Sequence, residues 1–79
     1  MTPPITPELY EVRLAIGRRL RRARERARLS QSDAAQRAGI KKIKWLRFEQ
    51  GVHPIPSELL GTLARAANTN VTKLLPRAA

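Results

Sequence analysis

From Glu8 to Arg28 apolar side chains recur at steps of three and four: Leu9, Val12, Ile16, Leu20, Ala23 and Ala27. That spacing draws one apolar stripe along a long helix. Thr6 is placed to cap it, with Pro7 at the first helical position, where a missing N–H costs least. Tyr10, Leu14 and Gly17 lie away from the main stripe and form a smaller apolar strip on the same helix. The pattern then shortens. Ser30-Gln31-Ser32-Asp33 is a capping-box signature, which predicts a short helix over "QSDAAQRA" ended by Gly39. A second short helix is expected from Lys41 or Lys42 to Gln50, closed by Gly51, and "VHPIP" (52–56) follows as a stiff loop. Ser57-Glu58 opens a fourth helix with Leu59, Leu60, Leu63, Ala64 and Ala67 inward. Asn68-Thr69-Asn70 breaks it, and Asn70 caps a last helix carrying Val71, Leu74 and Leu75 before Pro76. The pattern predicts five helices and no strand. They form one all-α domain over 8–75, between a Pro-rich flexible arm (1–7) and a short tail (76–79).

Composition narrows what such a domain can do. The chain's 79 residues are 42% apolar but only 4% aromatic, so the core must be aliphatic. The chain has no Cys, which excludes disulfides and thiolate metal sites and suits a reducing cytoplasm. No apolar run approaches the roughly 18 residues of a membrane span, and nothing at the N-terminus reads as a secretory signal. Asn70-Val71-Thr72 matches a glycosylation sequon, read here as coincidence. Sixteen Lys+Arg against six Asp+Glu leave a formal charge of +10 and a pI near 11.7. A field of that sign favours polyanions, nucleic acid first. The one His, His53, has no second His or Cys with which to share a metal or a proton, so neither an enzyme nor a metal or cofactor site is expected. The run "RRLRRARERAR" carries seven arginines, either as a solvated helix face or as a phosphate-holding one.

Two short helices joined by a tight Gly-containing turn are the core of a helix-turn-helix. Close crossing needs a small residue on the first, and Ala35 fits. The turn needs a residue comfortable at positive φ, and Gly39 fits. The second helix needs inward anchors a turn apart. Trp45 and Phe48 fit, with Ile40 beneath the turn. If those two point inward, a helical wheel puts Ile43, Arg47 and Gln50 outward, with Leu46 beside them. Arg47 is the best reader, because guanidinium presents two donors matching guanine O6 and N7, while Ile43 offers only apolar contact, such as to a thymine methyl. Lysines act mainly on phosphates.

"LSQSDAAQRAGIKKIKWLRFEQG" followed by "PSELLGTLARAANTNVTKLL" resembles the phage-repressor/Cro-type helix-turn-helix domain, the xenobiotic-response-element family of bacterial regulators. The resemblance runs from about Ile16 to Leu75 and rests on Ser30-Gln31, Ala35, Gly39-Ile40, Glu49-x-Gly51 and the "LARA" run at 63–66. It implies a compact five-helix bundle of the lambda-repressor-like DNA-binding type, with the helix-turn-helix formed by helices 2 and 3. It also implies that Lys42, Ile43 and Arg47 face base edges. Gln31, Lys41, Lys44 and Gln50 are expected at phosphates, although Gln31 reads equally well as an ordinary helix-start residue. Arg24 and Glu49 match a structural ion pair.

Three departures stand out. Ile40-Lys41 offers no good N-cap, Trp45 occupies a position commonly β-branched, and Ile43 with Leu46 places two aliphatic residues on the outward face. The expectation is a cytoplasmic, nucleoid-associated transcriptional repressor, acting as a homodimer on an inverted repeat of double-stranded DNA. Tyr10, Leu14, Val71 and Leu75 are candidates for a dimer or partner surface. The rival is a helix-turn-helix module that grips a protein, RNA polymerase or another regulator, through Ile43 and Leu46.

Overall fold

The computed structural model describes residues 7–76 as five helices. They are α1 (Pro7–Arg26), α2 (Gln31–Ala38), α3 (Lys42–Gln50), α4 (Ser57–Ala66) and α5 (Val71–Leu74), with no strand among the described residues. Thr6 and the rest of the arm, and residues 77–79 of the tail, lie outside them. Pro7 is the first residue of α1.

Local chemistry sets the boundaries. Ser30 Oγ accepts from Asp33 N at 3.0 Å while Asp33 Oδ2 accepts from Ser30 N at 3.4 Å, so the capping box of α2 is closed. At the other end Gly39 sits at φ 72°, and Ile40 N donates to Ala35 O. Gly51, at φ 73°, ends α3 in the same way through Val52 N and Arg47 O. This six-to-one bond from the residue after a left-handed one is the Schellman arrangement. It recurs after α1 and α4 with no glycine. Arg28 (φ 57°) and Asn68 (φ 58°) take the left-handed position there, with Leu29 N on Arg24 O and Thr69 N on Ala64 O. Asn70 Oδ1 caps α5 by accepting from Lys73 N at 3.1 Å.

The core is built on Leu20, Trp45, Phe48, Leu63 and Leu74, all fully buried. Alanines complete it: Ala34, Ala35, Ala64, Ala66 and Ala67, with Ile40, Ile55, Leu59 and Val71 packed on its edge. Small side chains let α2 lie close against α3 and α4. Leu60 is only half-buried.

The apolar face of α1 is displaced from the expected one. Leu9 and Val12 are 44% and 40% exposed, whereas Gly17 is buried. A Cβ at Gly17 would lie 2.4 Å from Glu49 O and 2.7 Å from Phe48 O, so α1 meets the end of α3 backbone to backbone there. That crossing fixes which side of α1 turns inward. It leaves every residue from Glu8 to Val12 exposed. Leu14, expected on a separate strip, packs instead on Gly51, where an added Cβ would come within 3.1 Å of it. Val71 packs against the core as well, so of the four residues expected on a dimer or partner surface only Tyr10 and Leu75 stay exposed.

Candidate nucleic-acid interface

α3 is held by its inner side and leaves its outer side open. Trp45 and Phe48 are 0% and 2% exposed, while Lys41, Lys42, Ile43, Lys44, Arg47 and Gln50 are all exposed. Lys41 occupies the N-cap in extended conformation with no side-chain cap bond, so the first-turn N–H groups of α3 have no side-chain acceptor there. Leu46 departs from its expected place. It is half-buried, because the wheel position next to buried Glu49 turns toward the body of the domain and not away from it. Ile43 alone, 49% exposed, carries the aliphatic character of the outer face. Beside it runs an open groove of about 590 Å³ between α3 and the 52–56 loop. Ile43, Phe48, Pro54 and Pro56 line it, Lys41, Lys44 and Arg47 supply its cations, and His53 stands at its loop side.

A buried carboxylate fixes the orientation of α3. Glu49 is 8% exposed, and its Oε2 accepts from Arg24 Nε at 2.6 Å and Trp45 Nε1 at 2.5 Å. Oε1 accepts from Arg24 Nη2 at 3.3 Å and Gln31 Nε2 at 3.1 Å. Arg24 Nη1 in turn donates to Leu29 O at 2.9 Å. One carboxylate thus ties α1, α2 and α3 together, with two donors on each oxygen. Burying a charge is costly unless it is paired and hydrogen-bonded, and here it is both. Arg24 and Glu49 were legible as a pair. The two further donors were not: Trp45 lies one turn before Glu49 in sequence, a spacing that permits the bond, but nothing in the pattern singles it out. Its indole N–H gives the bulky residue at this position a second role besides filling the core. Gln31 is engaged through one amide hydrogen, so it stands at the start of α2 with its carbonyl and second N–H still available.

The arginine run does not form one face. Arg24 turns inward. Arg21 pairs with Glu25 at 3.7 Å on the surface. Arg19 donates to the carbonyl of Leu75, and Arg19, Arg22 and Arg26 line clefts toward α5. Among the described residues no group of three His, Asp or Glu side chains could hold a metal ion, and no helix is long and apolar enough to cross a membrane.

The sequence profile of the helix-turn-helix domain matches residues 15–75. No curated protein matches the chain. Solved structures do. The restriction-modification controller protein C.AhdI from Aeromonas hydrophila superposes with a TM-score of 0.78 at 26% identity, over 84% of this chain and 96% of that one. The clp gene regulator ClgR from C. glutamicum gives 0.76 at 22%, over 91% and 86%. HppE, whose structures include an iron(II) form, gives 0.77 at 20%, over 86% of this chain but only 38% of its own. The same helical arrangement therefore occurs both in small regulators and as a minor part of a larger protein.

Proposed function

The chain belongs to the helix-turn-helix domain family, and on that footing we propose that it is a sequence-specific, double-stranded-DNA-binding transcriptional regulator, a repressor acting as a homodimer on an inverted repeat. The observation that carries this reading is the outer face of α3. Five positions, four of them Lys, Arg or Gln, stay exposed on a nine-residue helix whose inner side is locked by Trp45, Phe48 and the Glu49 network, and Lys41 is exposed at its N-cap. Such a helix suits the major groove, which admits one α-helix.

Arg47 reads a guanine through two parallel donors, Ile43 packs on a thymine methyl, and Lys42 contacts a neighbouring base edge. Lys41 and Lys44 hold phosphates at the start of the helix, where the open N–H groups favour anions as well. Gln31 and Gln50 add phosphate contacts, Gln31 from the amide hydrogen that Glu49 leaves unused. The regulatory part of the proposal agrees with the names of C.AhdI, a controller protein, and ClgR, a gene regulator.

Selection from random duplex DNA tests the whole reading, because it returns a motif, its symmetry and its half-site spacing together. Arg47→Ala is expected to cost about 1–3 kcal/mol of discrimination at one base position and little elsewhere. Unchanged base preference in that variant would mean that the assigned face of α3 is wrong. The apolar lining of the groove favours one second reading, a protein partner seated on Ile43, Pro54 and Pro56. Salt separates the two: a phosphate-bound complex weakens steeply as salt rises, and an apolar one does not.

A further inference from the structure

Four cations lie on a part of the surface that α3 does not use. Arg19, Arg22 and Arg26 on α1 and Lys73 on α5 border two adjoining clefts of about 140 and 200 Å³, and Thr69 lines both. No acidic residue lines either cleft. At 100° per residue the three arginines stand about 140–160° around α1 from Arg24. The Arg24 guanidinium is bound to Glu49 of α3. Their side of α1 therefore points away from the reading helix. Arg19 is braced by its bond to the Leu75 carbonyl, which joins α1 to the end of α5.

We propose that this face is a second polyanion site, and that it takes the phosphate backbone of a duplex other than the one α3 reads. From Arg19 to Arg26 the helix rises about 10.5 Å. Duplex DNA presents one charge per about 1.7 Å of axis, so some six phosphates pass that length. A protein partner fits the face poorly, because interface cores are depleted in charge and anchored by aromatic side chains, and these clefts hold no aromatic residue. The same duplex cannot reach both faces. Its persistence length of about 50 nm is roughly ten or more times the domain's longest extent, which is 34 Å. The occupant is a second segment of DNA, and the domain bridges two. This inference rests on the reading of α3 only for the first of them.

The test is recruitment. A short duplex is fixed to a surface, the full chain is added, and a second, fluorescently labelled duplex follows. Wild-type protein is expected to hold the labelled duplex, and four phosphate contacts would make that capture fall on the order of a hundredfold between about 50 and 200 mM salt. Arg22→Ala/Arg26→Ala/Lys73→Ala is expected to lose at least tenfold in capture of the second duplex while keeping the base preference of the first. Arg21→Ala/Arg37→Ala/Arg65→Ala removes the same three charges elsewhere and is expected to retain capture. Thermal unfolding of both variants checks that the fold survives. Equal loss in the two variants would reduce the effect to net charge and overturn the second site. Protein that holds the surface duplex but leaves the labelled one in solution overturns the second site alone. Protein that retains neither overturns both this inference and the reading of α3.

Discussion

Glu49 is the residue on which the geometry of α3 depends most. It receives four hydrogen bonds from three side chains on three helices. Removing its charge by Glu49→Gln leaves the Arg24 guanidinium, 12% exposed, without a counter-ion. Breaking a buried pair in this way costs about 3–5 kcal/mol, a large share of what so small a domain possesses. Trp45→Phe removes only the indole N–H and some volume. To separate the bond from the cavity, urea unfolding of both single variants and the double variant gives a cycle in which the cavity cost cancels. A coupling of about 1–3 kcal/mol is expected between Trp45 and Glu49. A coupling near zero would show that the 2.5 Å contact contributes packing and no hydrogen bond of consequence. At this scale the sequence was partly legible. Capping residues and left-handed glycines announce themselves, since few residue types can fill those places. The partners of a buried carboxylate depend on side chains from three helices converging, and sequence distance says nothing about that.

At the scale of the helix, two glycines make opposite demands. Gly17 lets α1 touch the backbone of α3, and the Cβ of an alanine there would stand 2.4 Å from Glu49 O. Gly61, within α4, has nothing within 4 Å of an added Cβ. Gly61→Ala is therefore expected to raise stability by about 0.5–1 kcal/mol through helix propensity and a less disordered unfolded chain. Gly17→Ala gains the same propensity but must push α1 and α3 apart, and a net loss of about 1–3 kcal/mol is expected. Chemical denaturation of the two variants side by side checks both signs. A gain at Gly17 would mean that α1 and α3 do not meet there, and a loss at Gly61 would mean that α4 is crowded at that position. The displaced stripe of α1 has the same origin. Apolar periodicity counts Leu9 and Val12 and gives Gly17 no weight, yet the residue without a side chain marks the close contact. Lys41 raises a related point at the start of α3. It sits in the conformation of an N-cap and supplies no cap bond. Lys41→Ser is expected to stabilise the fold by about 1 kcal/mol. It should also weaken DNA binding at low salt, if the lysine is kept for a phosphate at the expense of the helix. Calorimetry and a binding titration on the same variant read both effects, and unaltered binding would remove Lys41 from the interface.

Across the whole molecule, the formal charge of +10 was legible at once, and its distribution was not. Which side of α1 is covered follows from the Gly17 crossing and the Arg24–Glu49 pair, both long-range contacts. Only once these are known does the arginine run divide into an inward member, a surface pair and a group beside α5. On the proposed reading, charge at α3 acts in two ways that a binding isotherm can tell apart. Lys44→Ala should weaken all duplexes alike and lower the slope of log K against log salt by about one unit. Arg47→Ala should act at one base. Symmetry gives the last discriminating measurement. A nine-residue helix is about 13.5 Å long and spans only a few base pairs, and the proposed homodimer would set two such helices about a two-fold axis. These helices would enter successive major grooves about 34–36 Å apart, which fixes the half-site centres at about 10–10.5 base pairs. The sequences recovered by selection should therefore be inverted repeats with that spacing. A single unpaired half-site, bound as tightly as any longer one, would mean that the domain reads DNA as a monomer and that the homodimer has no part in recognition.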